Sequence, residues 1–229
     1  MAKKRVVVIS LGGSLIVPEK VDVKFLQEFK KIIKKNSKKY KFVIVCGGGT
    51  VARKYIKALA ADKRSDYLQS LVGISVTRLN ARFMSYFFGK DPDTGIPHDM
   101  KHLSNLLRRN NIVFCGGLRY APNQTSDATS ARLANYFNAD FINLTNVKGL
   151  YDKNPAAYRS AKFIPRITRE ELYKMIMAIR YKPGQHAPLD QTAISVIKKN
   201  KIKTYILGKD LKNLDNLLNG KRFIGTIVD

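Results

Sequence analysis

Three short apolar runs in this sequence each end in glycines, a pattern suited to phosphate binding. Glycine has no Cβ, so backbone N–H groups in such a turn can approach a phosphate closely. The N-terminus of a following helix adds a favourable dipole. Three turns of this kind are enough for the several phosphates of a reaction between two nucleotides. The runs 6–9, 42–45 and 112–114 lead to Gly12-Gly13-Ser14, Gly47-Gly48-Gly49 and Gly116-Gly117.

The elements that carry these turns alternate between strands and helices. Further strands are predicted over 141–144, 204–207 and 225–228. Helices are predicted over 23–35, 51–61, 68–88, 98–109, 127–137, 169–179, 190–199 and 211–218, with Thr168 as the N-cap of the sixth. This alternation indicates an α/β fold with a mostly parallel central sheet covered on both faces. Ligands of such sheets bind at the carboxyl ends of the strands, where the three glycine turns lie.

The bulk composition predicts one domain over residues 1–229, because no segment is rich enough in Pro, Gly or Ser to act as a linker. Hydrophobic residues make up 45% of the 229 residues, but their longest runs fall far short of the roughly 20 needed to span a bilayer. Cys46 and Cys115 form no CxxC motif. We expect them to be reduced thiols in the core of a cytoplasmic protein.

The formal net charge of +25 is the unusual feature of the composition. A surplus of this size attracts anions such as nucleotides, RNA and acidic lipids. It is spread along the chain, and no RRM, KH or zinc-finger signature accompanies it. Nucleic acid is therefore not the expected partner, and a generally lysine-rich protein surface is the favoured explanation.

Standard nucleotide-binding and metal motifs are absent from the sequence. It contains no GxxxxGK[ST], which excludes a P-loop NTPase, and no GxGxxG after the first strand, which disfavours dinucleotide binding. It contains no HExxH either, and no metal site built from protein side chains is predicted.

Several segments resemble the amino acid kinase superfamily. The superfamily pattern is a strand with Gly-Gly-Ser, a strand with Gly-Gly-Gly and a following Ala-Arg, and then Thr-Asn-Val-x-Gly-x-Tyr. The segments 12–19, 47–56 and 73–81 are similar to those of archaeal uridylate kinases, as are Leu189-Asp190, 202–204 with Gly208-Lys209, and Gly225-Thr226. The resemblance covers nearly the whole chain in the right order.

The resemblance implies a three-layer αβα sandwich, ATP and UMP as substrates, Mg²⁺ bound with ATP, and a homohexamer. The N-terminal part would bind the acceptor and the C-terminal part ATP. The ATP-binding residues implied are Gly12, Gly13, Ser14, Gly49, Arg53, Thr145, Asn146, Tyr151 and Asn154. The UMP-binding residues implied are Gly48, Ser70, Leu118, Asn123, Gln124, Thr125 and Ser126, most of them in the loop 118–126.

The reaction implied is an in-line attack of a UMP phosphate oxygen on the γ-phosphorus of ATP. Such a transfer depends on positioning and on neutralising charge. Arg53, one turn into a helix that follows the triple glycine, is the expected cationic contributor. Lys148 is a second candidate, since a cation there could compensate for a lysine that many family members carry where this chain has Ser10.

The other departures from the family pattern concern acidic residues and the acceptor loop. Ser70 stands where the family has an Asp that binds the ribose of UMP, and Asp66, one turn earlier, is a possible substitute. Lys148 itself stands where the family has Asp. The Pro-Gly of the acceptor loop is Pro122-Asn123, in a loop about two residues longer.

Two alternatives remain open at this stage. One is a kinase of the same fold with another phosphate or carboxylate acceptor, such as isopentenyl phosphate kinase or acetylglutamate kinase. Isopentenyl phosphate kinase would have a histidine in a matching glycine turn, and this sequence has none there. Acetylglutamate kinase would have a lysine near the position of Asp190, and this sequence has an acidic residue instead. The other alternative is a non-catalytic nucleotide-binding or RNA-binding paralogue.

Overall fold

A computed structural model describes residues 4–120, 125–178 and 189–229. Its strands are β1 (Arg5–Leu11), β2 (Tyr40–Cys46), β3 (Ile112–Cys115), β4 (Asp140–Leu144), β5 (Leu150–Tyr151), β6 (Phe163–Ile164), β7 (Arg166–Ile167), β8 (Thr204–Leu207) and β9 (Thr226–Val228). Its helices are α1 (Gly13–Ile16), α2 (Val23–Asn36), α3 (Gly49–Ala61), α4 (Asp66–Phe87), α5 (Met100–Arg109), α6 (Ser126–Tyr136), α7 (Arg169–Met177), α8 (Gln191–Lys199) and α9 (Leu211–Leu218).

Seven of these strands form one central sheet in the order β3-β2-β1-β4-β8-β9-β7. The pairs from β3 to β8 are all parallel, and β9 runs antiparallel to β8. The predicted mostly parallel sheet is therefore confirmed. The strands that precede the three glycine turns, β1, β2 and β3, are adjacent, so their carboxyl ends meet at one edge.

Helices cover both faces of the sheet, because successive side chains of a strand point to opposite faces. In β2, Phe42 and Ile44 pack into a core with α2, α4 and α9. Val43 and Val45 pack into a second core with α5, α6, α7 and α8. The α/β class and the three-layer αβα arrangement are thus confirmed.

Capping side chains place most of the helix starts. Asp99 accepts a hydrogen bond from the N–H of His102, so α5 begins two residues after the predicted position 98. Thr168 is the N-cap of α7, as predicted, and forms a capping box with Glu171. The predicted end of α7, residue 179, lies outside the described residues.

Four short elements were not predicted: α1 and the strands β5, β6 and β7. Helix α1 has only four residues, and each of the three strands has two. Elements this short carry too few side chains to show a periodicity. Strands β3, β8 and β9 are as short, but they were predicted because each is an apolar or β-branched run beside a glycine. Strands β5 and β6 pair with each other as an antiparallel hairpin outside the central sheet.

Among the residues that the structure describes, none of the helices has the length and apolar character needed to cross a membrane. Cys46 and Cys115 are free thiols, both buried, as predicted. Burial raises the pKa of the Cys115 thiol to about 12, which keeps this thiol protonated at neutral pH.

Candidate active site

The glycine turns after β1 and β2 are in direct contact. A Cβ atom on Gly13 would lie 2.3 Å from the backbone nitrogen of Gly49 and 2.6 Å from the carbonyl oxygen of Gly47. Gly49 itself has a φ of +60°, in the left-handed region that favours glycine. No other residue type fits this approach. We call Gly12-Gly13 and Gly47-Gly48-Gly49 together the glycine junction.

Two helices begin at the glycine junction. Helix α1 starts at Gly13, and α3 starts at Gly49 with Gly48 as its N-cap. The first N–H groups of a helix have no acceptor within the helix, and with the dipole they favour anions. Ser14 lies in the first turn of α1 and is half-buried. The junction therefore presents backbone donors where the sequence predicts the ATP phosphates.

The third glycine turn is closed by the middle of α4. The hydroxyl of Thr77 accepts a hydrogen bond of 2.8 Å from the N–H of Gly117. The Arg78 guanidinium donates to the carbonyl oxygens of Gly117 and Leu118. A Cβ atom on Gly116 would lie 2.5 Å from the nitrogen of Arg78. This turn is thus filled by protein, and its glycines permit helix packing rather than presenting a free phosphate site.

Helix α4 also contacts the glycine junction through a hydrogen bond. The Asn80 side chain, which is buried, donates a 2.7 Å hydrogen bond to the carbonyl oxygen of Gly47. Sequence reasoning missed Thr77 and Asn80 as positioning residues. Their signal was present, because they are polar residues inside the 73–81 segment that resembles archaeal uridylate kinases.

The N-terminus of α6 brings a second set of polar groups to this edge. Thr125 is the N-cap of α6, and its hydroxyl accepts from the N–H of Ala128 and donates to the Asp190 carboxylate. The Ser126 hydroxyl lies 3.5 Å from the position of a Cβ atom on Gly47. Two of the predicted UMP-binding residues, Thr125 and Ser126, are therefore beside the glycine junction.

Two carboxylates, Asp127 and Asp190, flank these hydroxyls. Ser10, buried within β1, donates a 2.8 Å hydrogen bond to Asp127. Burial and, to a smaller extent, the charge of Asp190 raise the pKa of the Asp127 carboxyl, the Ser10 hydrogen bond opposes the rise, and the net result is a pKa of about 7. Asp190 is the N-cap of α8 and accepts from the N–H groups of Thr192 and Ala193. Neither carboxylate was among the predicted site residues; a polar Ser10 inside an apolar strand was the available signal for Asp127.

The predicted ATP residues Thr145 and Asn146 follow β4, next to the first glycine turn. The N–H of Gly12 donates to the carbonyl oxygen of Leu144, the residue before Thr145. Lys148 lies farther along the same loop, and its Cα is 3.0 Å from the position of a Cβ atom on Gly208. The Lys148 side chain is exposed to solvent.

The other two predicted ATP residues make their described contacts away from the junction. Tyr151 lies on β5, and its ring contacts that of Phe163 across the hairpin, with 5.5 Å between centroids. Asn154 lies in the exposed turn that follows and accepts from the N–H of Ala156. These contacts place both residues in the hairpin region that adjoins the β4 loop.

Arg53 is exposed one turn into α3, and its guanidinium donates to the Thr50 hydroxyl at 3.1 Å. That bond keeps the cationic group near the N-terminus of α3. The half-buried Ser70 lies on α4, one turn before Gly73, whose carbonyl oxygen is 3.7 Å from the position of a Cβ atom on Gly48. The predicted UMP residue Gly48 therefore contacts α4 one helical turn after the predicted UMP residue Ser70.

The acceptor loop is only partly described. Leu118 is buried in the core on the α5 and α6 side, so its backbone rather than its side chain is available to a ligand. Asn123 and Gln124, together with Pro122, lie outside the described residues. Beside the loop is a cavity of about 500 Å³ lined by Asp99, Lys101, Leu118, Arg119, Tyr120 and Arg132, among others. None of the glycine-junction residues lines that cavity, which adjoins the candidate active site without containing it.

The arrangement has the parts that phosphoryl transfer requires. Backbone donors and helix N-termini converge at the tips of β1 and β2, the exposed Arg53 lies nearby on α3, and hydroxyl and carboxylate groups lie where the sequence predicts the acceptor. Phosphoryl transfer needs mainly positioning and charge stabilisation. The geometry alone leaves the acceptor undefined.

Comparisons with known proteins identify the relatives of this chain. Residues 5–208 match the amino acid kinase family. A uridylate kinase of Thermococcus gammatolerans is 35% identical over 225 residues, covering 97% of this chain and 99% of that protein. A uridylate kinase of Methanobrevibacter smithii is 35% identical over 224 residues, covering 97% and 98%.

Solved structures agree with these sequence matches. The crystal structure of uridylate kinase from Archaeoglobus fulgidus superimposes with a TM-score of 0.84 at 32% identity, covering 98% of this chain and all of that one. UMP kinase from Ureaplasma parvum gives a TM-score of 0.81 at 20% identity, which supports the fold alone. The resemblance seen in the sequence is confirmed, and the chain belongs to the amino acid kinase family.

Proposed function

We propose that this protein transfers the γ-phosphate of ATP to UMP, giving ADP and UDP in pyrimidine nucleotide biosynthesis. The observation that carries the proposal is the contact between the two glycine turns, with the α6 hydroxyls beside it. It supports a single site where backbone donors hold one phosphate group against another. The uridylate kinase relatives, similar over nearly the whole chain, favour UMP as the acceptor.

The two substrates would approach the glycine junction from opposite sides. We assign the ATP side to Gly12, Gly13, Ser14, Gly49, Arg53, Thr145, Asn146, Tyr151 and Asn154. We assign the UMP side to Gly48, Ser70, Leu118, Asn123, Gln124, Thr125 and Ser126. In this scheme the whole chain, 1–229, is one domain, whose N-terminal part holds the acceptor and whose C-terminal part holds ATP.

A UMP phosphate oxygen attacks the γ-phosphorus, and the bond from that phosphorus to the β–γ bridging oxygen breaks. The bridging oxygen keeps the electron pair and leaves with ADP. Arg53 neutralises charge on the transferring group, and Lys148 is a second cation available on the β4 side. Mg²⁺ takes oxygen ligands and binds through one or two carboxylates and substrate phosphates. Asp127 and Asp190 are oxygen donors of that kind, and the ion would neutralise charge on the ATP phosphates.

Exposed apolar side chains and buried thiols support a proposal for the assembly and the compartment of this protein. We propose a homohexamer, as the resemblance implies. Exposed large apolar side chains on α3 and α4, at Tyr55, Tyr67, Leu68 and Leu79, support self-association. The two buried free thiols support a reducing, cytoplasmic compartment. Light scattering coupled to size-exclusion chromatography measures the subunit number directly.

An ADP-release assay over a panel of acceptors tests the activity, with chromatographic identification of UDP. The panel is UMP, CMP, AMP, isopentenyl phosphate and N-acetylglutamate, each with ATP and Mg²⁺. We expect UMP to give the highest kcat/KM. ADP release with another acceptor, and none with UMP, would overturn UMP as the substrate while leaving a kinase.

One alternative acceptor class has a specific observation in its favour. The side chain at position 70 is a serine rather than an aspartate, which weakens recognition of a ribose. If the UMP activity is low, Ser70→Asp separates the explanations. A fall in KM for UMP supports a weakened uridylate kinase, and no change favours an acceptor without a ribose.

A further inference from the structure

The edge of the sheet opposite the candidate active site carries a dense row of basic side chains. This edge is formed by the amino ends of β3, β2, β1, β4 and β8 and by the C-termini of the helices that pack beside them. We call the following residues the basic edge: Lys4, Arg5, Lys34, Lys38, Lys39, Lys41, Arg108, Arg109, Lys201 and Lys203.

Hydrogen bonds and strand register show that the row is continuous. Lys41 on β2 donates to the carbonyl oxygens of Leu107 and Arg108, which joins it to the residues before β3. The Lys4 ammonium, just before β1, donates to the carbonyl oxygen of Ser37 at 2.8 Å.

The row continues past β1. Arg5 pairs in register with Tyr40 of β2, and it bonds Asp140 at the start of β4. The N–H of Phe141, on β4, donates to the carbonyl oxygen of Lys203, just before β8.

Acidic residues compensate little of this charge in the part of the chain that the structure describes. Asp140 is paired with Arg5. Asp215 is paired with Lys35, at the C-terminus of α2. Asp91 and Asp93 lie in the turn after Lys90, and burial together with the charge of Lys34 lowers the pKa of Lys90.

Helix dipoles explain only part of the row. Lys34 in α2 and Arg108 and Arg109 in α5 lie in the last turns of their helices, where cations interact favourably with the helix dipole. Lys4 and Lys41 donate to C-terminal carbonyl groups of the same two helices. The remaining basic-edge residues, Arg5, Lys38, Lys39, Lys201 and Lys203, lie on strands or in loops. Repulsion between these neighbouring cations lowers the stability of the folded protein. A bound polyanion would neutralise their charge and remove that repulsion.

We propose that the basic edge binds nucleic acid through its phosphate backbone. The five strands span about 19 Å, since neighbouring strands lie about 4.8 Å apart. Phosphates of one strand in a duplex follow one another at about 3.4 Å along the axis, so the edge covers five or six of them. The contact is independent of base sequence, because phosphate contacts carry no sequence information.

The side chains of the basic edge favour nucleic acid over a membrane surface. Large apolar side chains that are strongly exposed in the described residues lie outside the segments 4–5, 34–41, 108–111 and 201–203. Peripheral membrane binding combines such apolar anchors with cations. The edge also faces away from the glycine junction, so nucleic acid binding and phosphoryl transfer use separate surfaces.

Salt-dependent binding of a fluorescent DNA duplex of about 20 base pairs, and of a single-stranded RNA of about 20 nucleotides, tests the proposal. The edge variant replaces four cations without described side-chain hydrogen bonds: Lys34→Gln, Lys38→Gln, Arg108→Gln and Arg109→Gln. Each phosphate contact contributes about −0.9 to the slope of log K against log salt on duplex DNA and about −0.7 on a single strand. Loss of four contacts should therefore make the slope less steep by about 3.6 on the duplex and by about 2.8 on the single strand.

A control variant removes the same charge elsewhere, through Lys24→Gln, Lys57→Gln, Lys174→Gln and Lys212→Gln. All four are exposed helical lysines outside the edge. We expect the slope of log K against log salt for the control variant to stay within about one of the slope for the unmodified protein. We expect the edge variant to keep the phosphoryl-transfer rate of the unmodified protein. Equal losses in both variants would overturn the proposal in favour of diffuse charge, and binding to anionic vesicles but to neither nucleic acid would overturn it in favour of lipid.

Discussion

The carboxyl group of Asp127 offers a pH-dependent test of the acceptor side of the site. Ser10 donates to it, Asp190 lies near it, and burial raises its pKa from the ordinary 3.8 to about 7. Between these two values the folded protein holds a proton that the unfolded chain has released. The unfolding free energy therefore falls as the pH rises through this window, and it levels off above about pH 8.

The magnitude follows from the two pKa values. Each pH unit between them corresponds to about 1.4 kcal/mol, so a rise from 3.8 to about 7 amounts to at most about 4 kcal/mol. Asp127 retains some solvent exposure, which reduces the effect to about 2–4 kcal/mol. The substitution Asp127→Asn removes it, because the amide does not ionise and its oxygen still accepts from Ser10.

Urea unfolding of both proteins at pH 4, 5, 6, 7 and 8, at one protein concentration, measures the difference. We expect Asp127→Asn to match the unmodified protein near pH 4 and to be more stable by about 2–4 kcal/mol at pH 8. All other titrating groups are common to both proteins and cancel. A difference that stays constant from pH 4 to pH 8 would refute the buried, proton-holding carboxyl.

Asp190→Asn is the matched control for the same measurement. Asparagine is also a good N-cap, so α8 should keep its start. The charge of Asp190 is a smaller cause of the Asp127 pKa shift than burial is. The pH dependence should therefore move to lower pH in this variant without disappearing.

Three further predictions concern the glycine junction, the cation and a cap. Gly13→Ala should destabilise the protein by more than about 2 kcal/mol and abolish activity, because its Cβ would lie 2.3 Å from the Gly49 nitrogen. The control Gly89→Ala has no atom within 4 Å of the new Cβ and should lose only about 1 kcal/mol, as measured by urea unfolding. Arg53→Ala should lower kcat by roughly 100-fold in the ADP-release assay, while Lys57→Ala on the same helix should leave it unchanged; equal rates for both would remove Arg53 from the mechanism. Thr168→Ala should cost about 1 kcal/mol by loss of its capping box, and an unchanged thermal midpoint would contradict that capping contribution.

The strands and helices long enough to show a period were accessible to sequence reasoning. The run Phe42 to Val45 and the helical spacing in α2 follow from burial of one or two faces, which is a local property of the chain. The elements that escaped, α1 and β5 to β7, have four residues or fewer. They form because neighbouring strands and turns supply the partners for their backbone groups.

Within the candidate site, the sequence predicted the residues that belong to a recognisable motif. The first two glycine turns, Thr125 and Ser126 lie together in the structure. The third turn behaves differently, since α4 fills it through Thr77 and Arg78. Which glycine turn stays open to a ligand depends on the helix that packs over it, and nothing in the turn itself reveals that.

The sequence by itself determined the α/β class, the order of the elements and the glycines at the strand ends, because each depends on residues close together in the chain. Only the tertiary structure decided that Gly13 touches Gly49, that Ser10 donates a hydrogen bond to Asp127 across 117 positions, and that basic residues from four separate segments share one edge. These outcomes depend on the order of strands within the sheet. Strand order is set by packing between distant segments, and local periodicity carries no record of it.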